Sequence, residues 1–140
     1  MRLAFEINTL GPLKVQQALT PLMASPGGKV AVVSTGMGSI SDSSGGVYAY
    51  RTSKAAANMV TKGFSCDLKD KGIAVVAITP GMVVTEFGPG PEAMKAMGAM
   101  PVEQSCRGLI QICDELTMET TGKYMSVNKE KGVIEFPNGW

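Results

Sequence analysis

At 140 residues, with 44% hydrophobic and 18% charged side chains, the chain has the length and composition of one modest globular domain. Thirteen basic against twelve acidic residues leave a net charge of +1 with no run of like charge, so neither a nucleic acid nor an anionic membrane is an expected partner. Histidine is absent, which excludes Ser-His-Asp and Cys-His nucleophiles and any His-bearing zinc site; no metal is expected.

From Leu3 to Met23, apolar residues at Leu3, Ile7, Leu10, Val15, Leu19 and Leu22 follow a period of about 3.6, predicting an amphipathic helix strained in its middle by Gly11 and Pro12. The turn "SPGG" ends it. Lys29 to Ser34, "KVAVVS", is short, β-branched and bounded by turn residues, the pattern of a strand buried on both faces. A glycine- and serine-rich loop, "TGMGSISDSSGG", follows.

Tyr48 to Asp70 is helical in pattern, with Ala55, Ala56, Met59, Val60, Phe64 and Leu68 available as a buried stripe. Ile73 to Thr79 reads as a second buried strand, stopped by Pro80 and Gly81. Glu86 to Ala99 is rich in methionine and broken by glycine, and is expected to be a mobile flap. A helix then begins with Pro101 and Glu103 in its first turn, and Gly122 to Asn128 is a third strand candidate, followed by a polar turn and "IEFPNGW".

Helices alternating with buried strands imply an α/β fold, a doubly wound parallel sheet wrapped on both faces. Three strands are few for such a sheet. The chain therefore reads as the C-terminal part of a single domain, with the edge of "KVAVVS" and an apolar face of the first helix left uncovered. Cys66, Cys106 and Cys113 are odd in number and form no CxxC, which argues for a reducing compartment; each is expected as a small core residue. No apolar run approaches the ~18 residues of a membrane span, and the expected localisation is cytoplasmic.

Chemistry enters with "YAYRTSKAA". Tyr50 and Lys54 are four apart and share one helix face, whereas Tyr48, six from Lys54, points elsewhere. A lysine cation beside a phenol favours the ionised form, equipping such a tyrosine to exchange a proton as hydride transfer at a carbonyl carbon requires. Alone, a Tyr-Lys pair at this spacing is an ordinary exposed pair. Here it follows a strand ending in hydroxyls at Ser34 and Thr35, with Ser39 beyond, and precedes a strand ending in "TPGMVVTEF". Ligands of open α/β sheets bind outside the carboxyl ends of strands, so these features converge on one cleft.

In that order the motifs resemble the short-chain dehydrogenases and reductases. "GSISDSSGGVYAYRTSKAA", "PGMVVTEF" and "FPNGW" are most similar to the branch containing C-factor and the Sniffer-type carbonyl reductases. The resemblance runs from about Phe5 to Trp140 and implies a Rossmann-like fold and an NAD(P)(H)-dependent oxidoreductase that reduces a carbonyl or oxidises an alcohol. By it, Tyr50 would be the proton donor, and Lys54 would support it and bond the nicotinamide ribose. Asn8 would hold a water of the proton relay. The family's Ser-Ser pair reads Ser34-Thr35 here, so the carbonyl-polarising hydroxyl falls on Thr35, with Ser34 and Ser39 as alternatives. Pro80, Gly81, Val83 and Thr85 would hold the nicotinamide carboxamide and neighbouring phosphate.

The family's glycine-rich TGxxxGxG turn and NNAG segment have no counterpart in the sequence, and the choice of NADP(H) over NAD(H) rests on the carbonyl-reductase likeness. The expected partners are a small-molecule carbonyl or alcohol and, through the helices, a second copy in a homo-oligomer. Two other readings stand beside this one: an inactive remnant that acts by protein-protein pairing, and a plain α/β binding module.

Overall fold

The computed structural model describes residues 1–137 and 139–140. Its centre is a four-stranded sheet in the order β1 (Lys29–Val33), β2 (Ala74–Thr79), β3 (Tyr124–Asn128), β4 (Gly132–Glu135). The first three are parallel, with Lys29 opposite Ala74 and Ala77 opposite Tyr124. The three expected strands therefore form in the expected direction. β4 is an addition and runs antiparallel, Met125 facing Glu135 and Asn128 facing Gly132. The turn into it is built by Asn128, whose Oδ1 accepts from the amides of Glu130 (2.9 Å) and Lys131 (3.0 Å).

β2 is buried along its whole length because helices cover both faces. Ala74, Val76 and Ile78 meet Ile112 of α5 (Val102–Glu115) and Leu116 just past its end, together with Met100 and Val127. On the other face Val75 packs with Leu68 and Ile73 behind α3 (Tyr48–Asp67). Each such Val or Ile contributes about 1.5–3 kcal/mol through its burial. The doubly wound reading holds, and the alternation of β2 side chains between two apolar faces is its cause.

β1 has the uncovered edge expected from the sequence, but it is not the strand buried on both faces that its pattern suggested. It is an edge strand, Val32 is its one buried residue and Val33 is 53% exposed. With a neighbour on one side only, its β-branched residues lack the second layer that the sequence pattern implied.

The first helix is broken where Gly11 and Pro12 were expected to strain it. α1 (Arg2–Phe5) passes through a widened π turn, Glu6–Leu10, before α2 (Gly11–Leu19). Pro12 offers no N–H and its ring would press on the carbonyl four residues back, that of Asn8. The π turn relieves this, with the Gly11 amide donating to the Glu6 carbonyl. The apolar stripe faces outward: Leu3, Ile7, Val15, Leu19 and Leu22 are all more than half exposed, and Thr9 and Gln16 are the buried residues of this segment.

In α3 the expected buried stripe is likewise displaced. Leu68, just past the helix, is buried and Phe64 packs against the cluster of Leu68, Ile73 and Val75. Ala55, Ala56 and Val60 are half-buried, Met59 is exposed, and the buried positions of the helix are Ser53, Ala57, Asn58, Thr61 and Ser65. Small side chains let the helix lie close on β2, and the hydroxyls are satisfied inside the helix: Thr61 donates to the Ala57 carbonyl (2.8 Å) and Ser65 to that of Lys62 (2.6 Å). The cysteines correct a third expectation, since Cys66 and Cys106 are exposed and Cys113 is half-buried. Cys66 lies on α3, and Cys106 and Cys113 lie on α5. Within the expected flap, Pro91–Ala96 forms α4, a short helix, and the last residue of the flap, Ala99, is buried.

Candidate active site

β1 and β2 end side by side, and their carboxyl ends open into a cleft of about 820 Å³. Thr35, Tyr50 and Lys54 line it, as do Pro80, Gly81, Val83 and Thr85. Of the candidate residues read from the sequence, Asn8 and Ser39 do not reach this surface.

α3 aims Tyr50 and Lys54 from its first two turns. It begins at Val47, which holds a left-handed conformation (φ 38°, ψ 42°) that a β-branched residue adopts only at a cost. Arg51 fixes the preceding loop to the helix, donating from Nε to the Gly45 carbonyl (3.0 Å) and from Nη2 to Ser44 Oγ (2.8 Å). Lys54 Nζ donates to the Val33 carbonyl at 3.2 Å, which ties α3 to the end of β1. Burial in the cleft wall pulls the Lys54 ammonium below its usual 10.5. Tyr50 faces Phe87 across the cleft, ring centroids 6.4 Å apart.

The three candidate hydroxyls have separate fates. Ser34 is 4% exposed and donates to Asn58 Oδ1. Ser39 donates to the Trp140 carbonyl at 3.4 Å, away from the cleft. Thr35 caps the short 3₁₀ turn Gly36–Gly38, its Oγ1 accepting from the Met37 amide at 3.3 Å. That contact occupies a lone pair and leaves the Thr35 hydroxyl proton free for an acceptor in the cleft. Asn8 stands behind Tyr50: its Nδ2 donates to Ser53 Oγ (3.0 Å), which in turn donates to the Tyr50 carbonyl (2.9 Å).

The second strand end is shaped by Gly81, whose φ of 78° and proximity to the Val127 carbonyl and Met100 leave no room for a Cβ. Val83 pairs with Met100 in an isolated parallel bridge, through Met100 N to the Met82 carbonyl and Val84 N to the Met100 carbonyl. In such a bridge the N–H and C=O of the paired residue itself turn the other way. Val83 therefore directs a donor and an acceptor away from Met100, on a residue that lines the cleft. A planar carboxamide needs that pair, so the residues present fit the nicotinamide end of a dinucleotide.

Sequence reasoning missed Asn58, Tyr124 and Phe136. Tyr124 is 2% exposed with its ring stacked on Phe136 (4.6 Å) and Trp140 (5.4 Å), and burial pushes its phenol up to about 12. Phe136 continues from there into the cleft beside Gly36. The available signal was Asn58 itself, a polar residue one turn beyond Lys54 on an otherwise small-residue face.

Residues 1–95 match the short chain dehydrogenase family, and the chain belongs to the short-chain dehydrogenases and reductases. Within it, the likeness is to the C-signal and Sniffer branch. The chain is 44% identical to 1-hydroxy-2-glutathionyl-2-methyl-3-butene dehydrogenase of Rhodococcus sp. (strain AD45), over 89% of this chain and 54% of that protein. It is 40% identical to C-signal of Myxococcus xanthus, over 89% of this chain and 72% of that one. Among solved structures, the carbonyl reductase Sniffer of D. melanogaster superposes with a TM-score of 0.73 at 29% identity, covering 87% of this chain and 52% of that one. The NADPH-bound carbonyl reductase from chicken fatty liver gives 0.75 at 29%, with the same coverage. The chain thus spans about half the length of most of these relatives. Among the described residues no helix is long and apolar enough to cross a membrane, and no cluster of side chains could hold a metal.

Proposed function

We propose that this chain carries the catalytic and nicotinamide-binding side of an NADP(H)-dependent carbonyl reductase, acting on a small-molecule carbonyl or the corresponding alcohol. The observation that carries the reading is the convergence of Tyr50, Lys54 and Thr35 on one cleft at the carboxyl ends of β1 and β2. The neighbour with bound NADPH supports the choice of cofactor.

When bound, the nicotinamide supplies a hydride to the carbonyl carbon. Val83 would hold the carboxamide through its backbone, with Pro80, Gly81 and Thr85 shaping the wall beside it, and Lys54 would bond the ribose. Thr35 donates a hydrogen bond from its free hydroxyl to the substrate oxygen, keeping its own proton, and so polarises the carbonyl. Tyr50 gives that oxygen its proton as the negative charge develops, and Lys54 favours the phenolate left behind. Asn8 acts from behind, through Ser53, on the carbonyl of Tyr50. Met82, Phe87, Met94 and Leu109 make the substrate side apolar and exclude water. Its free thiols suit a reducing, cytoplasmic setting.

The direct test is loss of NADPH absorbance with a panel of aldehydes and ketones. The wild-type chain should turn over, and Tyr50→Phe should lower kcat by about 10²–10⁴-fold while NADPH binding, followed by fluorescence, stays within about twofold. A folded chain without saturable NADPH binding would overturn the reading. A second reading, a non-catalytic protein that pairs through its helices, is favoured by the exposed Leu3, Ile7, Val15, Leu19, Leu22 and Met59. Self-association in sedimentation, without cofactor binding, would select it.

A further inference from the structure

Directly beneath the Ser34-Thr35 corner lies a buried polar group that the mechanism above does not use. Asn58 is 3% and Tyr124 is 2% exposed. The Tyr124 hydroxyl faces Ser34 and Asn58, yet it makes no hydrogen bond of good geometry, and neither does Asn58 Nδ2. Only the bond from Ser34 Oγ to Asn58 Oδ1 is formed. Two buried donors without acceptors cost on the order of 1–3 kcal/mol each, a burden that calls for a reason beyond packing.

Neither group can swing out to water. Tyr124 is held by the stacked rings of Phe136 and Trp140. The Asn58 amide is pinned under Gly38, where a Cβ would lie 3.1 Å from Nδ2. The pinned Asn58 amide therefore holds its Oδ1 as the acceptor of the Ser34 hydroxyl, and the Tyr124 hydroxyl is kept beside both. Successive residues of an extended segment point to opposite sides, and Thr35 is extended (φ −157°, ψ 146°). Holding Ser34 inward therefore commits Thr35 to the cleft.

We propose that Tyr124 and Asn58 are positioning residues that act through Ser34 to keep Thr35 Oγ1 turned into the cleft. The proposal rests on the carbonyl-reductase reading for its purpose, but its geometry is testable without cofactor. The vicinal couplings of the Thr35 methyl group, measured by NMR on the full chain, report its χ1 rotamer. Wild type should show one rotamer. Tyr124→Phe should mix rotamers while Tm stays equal or rises, because a buried unpartnered hydroxyl has been removed. The same change made in a Ser34→Ala background should have no further effect, since the link through Ser34 is gone. Asn58→Leu should mix the rotamers too; if it does not fold, Tyr124→Phe decides alone.

In turnover, Tyr124→Phe should lower kcat about tenfold with the carbonyl KM within about twofold. A single Thr35 rotamer in Tyr124→Phe would overturn the proposal. So would a lowered Tm with rotamer mixing that persists on Ser34→Ala, which marks a packing role. Absence of turnover in wild type would defeat the carbonyl-reductase reading, while the couplings would still settle the positioning.

Discussion

Lys54 reaches 3.2 Å across from α3 to the Val33 carbonyl at the end of β1, so the same ammonium that faces the cleft also joins helix to sheet. Its burial sets a definite pH dependence. The Lys54 pKa is lowered from 10.5 in the fold, so the folded chain bears the desolvation cost in full below the lowered value. As pH rises toward 10.5 the unfolded chain holds more protons, and this group's share of stability increases. Lys54→Met removes that dependence. At neutral pH the variant should be at least as stable as wild type in urea unfolding, and wild type should gain on it just below pH 10.5. An equal gap at both pH values would show that the ammonium is not desolvated.

Tyr124 behaves in the opposite sense. Its phenol is raised from 10.0 to about 12 by burial, with the Tyr50 charge adding to the rise, so the neutral form is the one the fold favours. The stability it contributes is complete below pH 10 and is lost as pH rises through about 12. Of three tyrosines, one should ionise late in an absorbance titration, and Tyr124→Phe should abolish that late step and flatten the alkaline loss of stability. A late step that survives the substitution would place the burial elsewhere.

The parts of this arrangement that the sequence exposed share a physical origin. β2 announces itself because every one of its residues is buried, so composition and burial agree; the Tyr50-Lys54 spacing works because a helix of fixed pitch enforces it. β1 read as buried on both faces because its run is β-branched and apolar throughout, yet Val33 meets solvent; the uncovered edge of β1 and the open apolar face of the first helix were legible from the small number of strands. α3 misled differently: close approach to β2 demands Ser, Ala and Thr, and those residues look like a solvated face in a hydrophobicity pattern. Tyr124 and Asn58 were illegible because they lie 66 residues apart in sequence, and only the β2-β3 register and the packing of α3 bring them together.

Val47 opens α3 in a left-handed conformation with its side chain exposed, so the strain has no visible packing return. A β-branched residue there costs about 1–3 kcal/mol, which asparagine largely avoids. Val47→Asn should therefore stabilise the fold by about 1 kcal/mol, read as a rise in Tm with the denaturant slope unchanged. If Tm falls, the Val47 side chain makes a contribution that its exposure conceals.

The cysteines give the last test, because their exposure contradicts what cysteine usually does. Cys66 and Cys106 lie open on α3 and α5, while Cys113 is half-buried. A thiol reagent added to the native protein should modify two groups quickly and a third slowly, with all three fast after denaturation. Cys106 also lines the cleft, whereas Cys66 does not. An occupant of the cleft should therefore slow labelling of Cys106 and leave Cys66 untouched, a difference that mass spectrometry of the labelled peptides resolves. NADPH with an unreactive carbonyl analogue is the probe to use. Equal protection of both thiols would mean that the occupant tightens the whole fold, and protection of neither would mean that it binds outside the wall formed by α5.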